Sequence, residues 1–369
     1  MKVDWQRRKI YTLFFAALMI QNLAACNNSE SAQTSTTSPE QMTEMEMEAM
    51  ISLKTREDVY RRRELLLEFL FGESILPTGE VELNTYIPSE EAISFLDAFE
   101  LASPEIITVR MEYRMVSNMI LLHAVPQSNT LVLYHSGHPG FVENDRQNLL
   151  KLVNAGFDVL YISMPLAGIN RSGEGSNPNI KVETLCCGKP YLKETTARHN
   201  QLGLIPDSLR FFVKPIAIVL DYAEELGYER FVLIGISGGG WTAVLYSAID
   251  DRISMSIPVA GSTPLWLRDR NKERGDFEQL DPELYAVPNY LELYIMGAFG
   301  EGRLQYQIFN FYDPCCFGKG RSAVYLDVVQ ANLERLGAGQ FELYVDYSER
   351  EHMISPAAMN IILELLSES

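Results

Sequence analysis

Apolar residues in this chain follow two different spacings, and the switch from one to the other marks out its elements. Val59, Leu66, Leu67 and Leu70 recur at helical intervals, opened by the capping-box pattern Thr55-Arg56-Glu57-Asp58 and closed at Gly72. Two strand-like runs follow, 106 to 116 and 119 to 125, and then an uninterrupted aliphatic run from Thr130 to Tyr134 that ends in HSGHPG. From there helices and strands alternate. A helix over 145–155 leads to a strand over 157–164, a helix over 207–226 to a strand over 231–234, and a helix after Ser237 to a strand over 253–259. Strands over 304–312 and 341–347 are followed by helices over 323–336 and 356–366. Short buried runs joined by helices call for right-handed crossovers, which predicts an α/β fold with a mostly parallel sheet and helices on both faces. No segment repeats another.

Two stretches break the alternation: about 167–205, rich in Gly, Asn, Pro and Thr, and about 263–301, rich in aromatics. Both leave the carboxyl ends of predicted strands, where open α/β sheets place their ligands, so they are expected to be lid-like insertions. The N-terminus differs from the rest. Lys2, Arg7, Arg8 and Lys9 precede an apolar stretch from Ile10 to Ile20, the pattern of a secretory signal and too short to span a membrane. The following LAAC resembles the lipobox of bacterial lipoproteins. That resemblance implies a signal peptide over 1–25, cleavage before Cys26, and a lipid on Cys26 that anchors the protein in the cell envelope. Asn27 after the cysteine points to the outer membrane of a two-membrane bacterium. Residues 26–54 are Ser, Thr, Gln, Glu and Met with no apolar period and are expected to form a flexible tether, leaving 55–369 as the folded domain.

Composition narrows the function. With 369 residues, 47% of them hydrophobic, the chain is long enough for a large globular core. Its net charge of −18 excludes a nucleic-acid partner, which needs a concentrated basic stripe. The dense cluster Arg61-Arg62-Arg63 lies on a predicted helix and is read as a solvated face.

The candidate chemistry starts at LIGISGGG. Gly235, Ser237 and Gly239 fit G-x-S-x-G between a strand and a helix, a turn sharp enough to lift a hydroxyl above the end of a sheet. A serine hydroxyl needs an imidazole base and a carboxylate to hold that imidazole's tautomer. Of five histidines, His352 stands alone on the loop between the last strand and the last helix, and Asp313 closes the penultimate strand in FNFYDPCCF. Asp346 and Glu349, close to His352 in sequence, compete with Asp313 for the acid's place.

The order Ser237, Asp313, His352, each after a successive strand end, resembles the α/β-hydrolase superfamily from about Ile106 to the C-terminus. The resemblance implies an eight-stranded, mostly parallel sheet, matching the strands counted above. It also implies a nucleophile, acid and base in those three residues. HSGHPG looks like the oxyanion loop of that family, with the N–H of Gly137 or His138 joining that of Gly238. The implied activity is a serine hydrolase, first a carbohydrate or small-acyl esterase, with a prolyl-oligopeptidase-type peptidase second and a lipase third. A catalytically inactive ligand-binding lipoprotein is the reading from another class.

No cofactor is implied. The phosphate-loop and dinucleotide patterns are missing, and the histidines show neither H-E-x-x-H nor close carboxylate partners for a metal. Cys186-Cys187 and Cys315-Cys316 form two adjacent pairs, and a disulfide between the pairs is expected in an oxidising compartment.

Overall fold

The computed structural model describes residues 42–84, 104–171, 180–186, 189–195, 199–268 and 275–368. The expected signal peptide, Cys26, most of the expected tether and Cys187 lie outside these residues.

Period-two alternation is written directly into the sheet. Ile107, Leu121, Leu131, Leu160 and Leu233 enter one core while their chain neighbours Ile106, Ile120, Val132, Val159 and Val232 enter a second, on the opposite face. The strands are β1 (Glu82–Asn84), β2 (Glu105–Arg110), β3 (Val116–Leu122), β4 (Thr130–His135), β5 (Asp158–Ile162), β8 (Arg230–Ile236), β9 (Ile253–Val259), β10 (Leu304–Asn310) and β11 (Gln340–Asp346), with β6 (Ile180–Cys186) and β7 (Lys189–Thr195) outside the main sheet. The order β1-β2-β3-β5-β4-β8-β9-β10-β11 makes nine strands rather than eight, because the short β1 adds to the edge. The first three pairings along it, up to β3 with β5, are antiparallel and the rest are parallel.

The helices are α1 (Glu44–Met50), α2 (Arg56–Phe71), α3 (Glu143–Asn154), α4 (Arg210–Glu225), α5 (Gly238–Ile249), α6 (Phe277–Leu280), α7 (Tyr290–Ala298), α8 (Leu326–Leu336) and α9 (Pro356–Glu368). Residues of α2, α4, α5, α7 and α8 fill the first core, and those of α3 and α9 the second. From β4 the chain moves to β5 on one side and then returns to β8 on the other. The order therefore reverses between β4 and β8, the kind of switch point beside which open α/β sheets place their ligands.

Several expectations change. The tether does not extend to residue 54: Thr43 caps α1, and Met47, Ile51 and Leu53 are buried in the first core. MEMEAM supplies enough apolar surface on one face to be held there. The run 106–116 is two elements, because Tyr113 and Arg114 take positive φ and turn the chain between β2 and β3. In the first insertion, β6 and β7 pair antiparallel as a hairpin. The second insertion is not all lid. Every residue of α7 is buried, as expected of a helix apolar around its whole circumference. The arginine cluster is not simply a solvated face either. Arg62 pairs with buried Glu292 of α7 at 2.9 Å, and buried Arg63 donates to the Ala248 carbonyl at the end of α5. Both bind α2 to the helices beneath it.

Candidate active site

β8 ends at Ile236, and α5 begins at Gly238, leaving Ser237 alone to make the turn. Its backbone sits at φ 57, ψ −122, a conformation that costs a non-glycine residue on the order of 1–3 kcal/mol. The turn is held by the Ser237 N–H donating to the Val259 carbonyl (2.9 Å) and the Ser237 carbonyl accepting from Trp241 (3.0 Å). The flanking glycines are required by contact. A Cβ on Gly235 would lie 2.2 Å from the Gly239 carbonyl oxygen, and one on Gly239 would lie 2.2 Å from the His135 carbonyl oxygen. The helix thus packs against the ends of β4 and β8 with no room for a methyl group. Ser237 itself remains partly exposed.

The HSGHPG loop leaves β4 beside this turn. Gly137 lies against Ser237, since a Cβ there would be 3.0 Å from the Ser237 Cβ. His138 covers Gly238: a Cβ on Gly238 would be 2.6 Å from His138 Cε1 and 2.3 Å from Met164 Sδ. Residues 137 and 138 of this loop thus pack against the turn, and no hydrogen bond engages the N–H of Gly238 or His138 among the described residues. Ser136, between the two histidines of the loop, is buried and donates its hydroxyl to the Ile162 carbonyl. His135 is also buried. Its Nδ1 donates to the Ser136 carbonyl (2.9 Å), and burial lowers its pKa to about 4, with His138 and His199 adding to the effect against that hydrogen bond.

Asp313 and His352 meet. His352 Nδ1 lies 2.6 Å from Asp313 Oδ2, and the Asp313 side chain is fully shielded from solvent. Asp313 Oδ1 accepts the N–H groups of Cys315 (2.8 Å) and Cys316 (3.0 Å), so the whole carboxylate is engaged. Asn310, the last residue of β10, donates to the carbonyls of Glu351 and Met353 and so ties the loop of His352 to the strand that leads to Asp313. His352 Nε2 is buried and has no hydrogen-bond partner among the described residues. The competing carboxylates are committed elsewhere. Asp346 accepts from Ser348 and from Ser355, which caps the start of α9, and Glu349 accepts from the N–H groups of Arg350 and Glu351.

The expected disulfide between the cysteine pairs is overturned at one end, because Cys315 and Cys316 are bonded to each other. A sulfur forms one disulfide, so neither is left for Cys186 or Cys187.

The second insertion braces the site from the side. Trp241 of α5 donates to the Tyr285 hydroxyl (2.8 Å), which donates to that of Tyr290 (2.6 Å). Arg268 donates to Tyr290 and to the Thr263 carbonyl, and its guanidinium stacks over Phe317 of the acid-bearing loop at 5.1 Å.

One grouping was not legible in the sequence. His138, His199 and Glu278, from three separate segments, bring ligand-type atoms within 4.8 Å of one another. Neither His199 nor Glu278 stands out in the sequence, because no local spacing connects them. Burial alone would push the Glu278 carboxyl up, but the two imidazoles outweigh it and hold its pKa at about 2. Burial likewise lowers the pKa of His138, but Glu278 and Asp276 outweigh it and leave a net upward shift.

No family model matches this sequence, and no curated protein resembles it closely enough to register. Solved structures do match. Methylesterase BT1017 aligns with a TM-score of 0.61 at 15% identity, over 89% of this chain and 67% of its own. Acetyl xylan esterase from Paenibacillus sp. R4 aligns with a TM-score of 0.52 at 14% identity, over 89% of this chain and 99% of its own. At such identities the likeness concerns the fold, and together with the nine-stranded sheet and its strand order it establishes that this chain has the α/β-hydrolase fold.

Proposed function

We propose that this protein is a serine hydrolase that cleaves an ester by acyl transfer through Ser237. The observation that carries the proposal is the pairing of His352 Nδ1 with shielded Asp313 Oδ2, in a chain whose Ser237 occupies a strained strand-to-helix turn. Asp313 can only accept, so His352 Nδ1 donates, and Nε2 presents its lone pair as a base. In the reaction, Nε2 takes the Ser237 hydroxyl proton as Oγ attacks the ester carbonyl. The carbonyl oxygen becomes an oxyanion, received by the N–H of Gly238 and that of Gly137 or His138. The imidazolium then passes its proton to the leaving alcohol, and an acyl-enzyme remains. Water, deprotonated by the same nitrogen, releases the acid and restores the serine.

Gly137, His138 and Met164 close around the nucleophile turn, which favours a short acyl group over a long chain. The two structures aligned above are named as esterases, in keeping with a carbohydrate or small-acyl ester as substrate. The N-terminal sequence adds a place of work. With a lipid on Cys26 the enzyme would act at the cell envelope.

A fluorophosphonate probe tests the chemistry. The wild-type protein is expected to be labelled and Ser237→Ala not, and turnover should be highest on short aryl esters or acetylated sugars. Equal labelling of both proteins overturns the nucleophile. A folded wild type that is neither labelled nor active on any ester overturns the hydrolase reading in favour of a ligand-binding protein. Faster turnover of a peptide amide than of any ester makes the enzyme a peptidase.

A further inference from the structure

Behind the loop that covers Ser237 lies a group of side chains that the hydrolytic chemistry does not use. His138 comes from the loop after β4, His199 from the end of the first insertion, and Asp276 and Glu278 from the second. Glu278 is fully buried, yet neither of its oxygens makes a hydrogen bond among the described residues, and the same is true of Nε2 of His138 and of His199. These atoms nevertheless face one another. His138 Nε2 lies 3.3 Å from Glu278 Oε1 and 3.1 Å from Asp276 Oδ2, and His199 Nε2 lies 3.5 Å from Glu278 Oε2.

The tautomer of His199 sharpens the problem. Its Nδ1 lies 2.6 Å from the Pro165 carbonyl oxygen, which can only accept, so Nδ1 carries the proton. A neutral His199 then turns the lone pair of Nε2 toward a carboxylate. A metal-bound imidazole has this arrangement: one nitrogen donates to a carbonyl, and the other is free for the ion. The alternative is a second proton on the ring, aimed at Glu278. The contacts argue against it, because the separations to Glu278, 3.3 and 3.5 Å, are long for a charge-assisted hydrogen bond and none is made there. Instead, ligand atoms of all three residues lie within 4.8 Å of one another.

Their spacing fits a particular ion. Bonds of about 2.0–2.1 Å to nitrogen and oxygen in a tetrahedral site place neighbouring ligand atoms about 3.3 Å apart. Within the set, the nitrogen-to-carboxylate separations are 3.3 and 3.5 Å, one to each oxygen of Glu278, and the ligand atoms of all three residues lie within 4.8 Å of one another. The geometry points to a zinc site formed by His138 Nε2, His199 Nε2 and the Glu278 carboxylate, with the fourth position on the side of Asp276. Two imidazoles and a carboxylate suit zinc rather than calcium or magnesium, which prefer oxygen alone. The ion would tie both insertions to the loop carrying His138, whose ring rests on Gly238. Its role is to position that loop, and its existence does not depend on the proposed hydrolysis.

The test uses the full-length protein, stripped with a chelator and titrated with zinc alone. The wild type is expected to bind about one equivalent at neutral pH, with a rise in melting temperature that a chelator reverses. X-ray absorption should show nitrogen and oxygen neighbours only, at about 2.0–2.1 Å. His199→Gln and Glu278→Gln should lose this binding, whereas His123→Asn, at a histidine remote from the cluster, should keep it. Should a ligand variant fail to fold, the wild-type titration and absorption spectrum decide. Wild-type protein that takes up no zinc, or whose zinc persists in a folded Glu278→Gln variant, overturns the site and leaves a buried His–Glu–His ion pair. The metal content is read without substrate, so a protein inactive on every ester could still bind zinc, and an active esterase could bind none.

Discussion

His352 bonds to Asp313, thirty-nine residues before it, and not to Asp346 or Glu349 on its own side of the last strand. Asp313 sits just past the end of β10, and β10 and β11 run parallel in register from Leu304 opposite Gln340 to Asn310 opposite Asp346. Adjacent parallel strands bring their exit loops side by side, which is why a distant carboxylate outcompetes two near ones.

Asp313→Asn would preserve the shape of the turn but favour the wrong imidazole tautomer. A fall in kcat of about 10⁴ is expected, by analogy with related triads. Glu349→Gln should cost less than about tenfold, since that carboxylate is exposed and only caps its own loop. Asp346→Asn should act on stability, through the lost bonds to Ser348 and Ser355. Steady-state kinetics beside urea unfolding separates the three. A greater activity loss from Glu349→Gln than from Asp313→Asn would reject the assignment.

Replacing Ser237 with glycine removes the nucleophile and also the strain at φ 57. Unfolding in denaturant should show the variant to be inactive but more stable, by on the order of 1 kcal/mol. A less stable Ser237→Gly protein would mean that the side chain's packing outweighs the backbone strain.

Two glycines of the same turn should behave differently when changed to alanine. At Gly239 the added methyl meets backbone, the His135 and Ser136 carbonyl oxygens at 2.2 and 2.6 Å, so the turn must open, and folded protein should be scarce. At Gly238 it meets the side chains of Met164 and His138, which can shift. That variant should fold but lose activity as the His138 loop moves away from Ser237. Circular dichroism and ester turnover for the pair provide the check.

His135 makes stability depend on pH in a definite direction. Its folded pKa of about 4 lies below the ordinary 6.5, so on acidification the unfolded chain takes up the proton first. The stability tied to its neutral form is complete above pH 6.5 and is lost as the pH falls toward 4, by roughly 3 kcal/mol. In His135→Gln the unfolding free energy should fall less steeply over that interval than in the wild type. Parallel slopes in urea titrations across the interval would refute the dependence.

Export is tested at the N-terminus. Cys26→Ser should leave the protein unlipidated and shift it from the membrane fraction to a soluble or unprocessed form. Unchanged membrane association and electrophoretic mobility would remove the lipid anchor from the account.

The hydrophobic pattern by itself determined the α/β architecture, because a buried parallel strand must be aliphatic throughout and its return helix must carry an apolar stripe. It also determined the nucleophile turn, since Gly235, Ser237 and Gly239 answer to contacts within a few residues of each other and with the ends of neighbouring strands. The order of Ser237, Asp313 and His352 could be read for the same reason: each lies at the end of a recognisable strand. Tertiary structure decided what happens between loops. Periodicity reports which face of an element is buried, not which distant segment covers it, so α1 and α7 fall in stretches that look like tether and lid although both are packed in the core. Chain order favoured Asp313 over Asp346 and Glu349 only as the residue that closes a separate strand, and it is the adjacency of β10 and β11 that brings it to His352. Nor could it pair the cysteines or gather His138, His199 and Glu278. Those residues have no common period or motif, and their meeting depends on two insertions folding back beside β4 and β8.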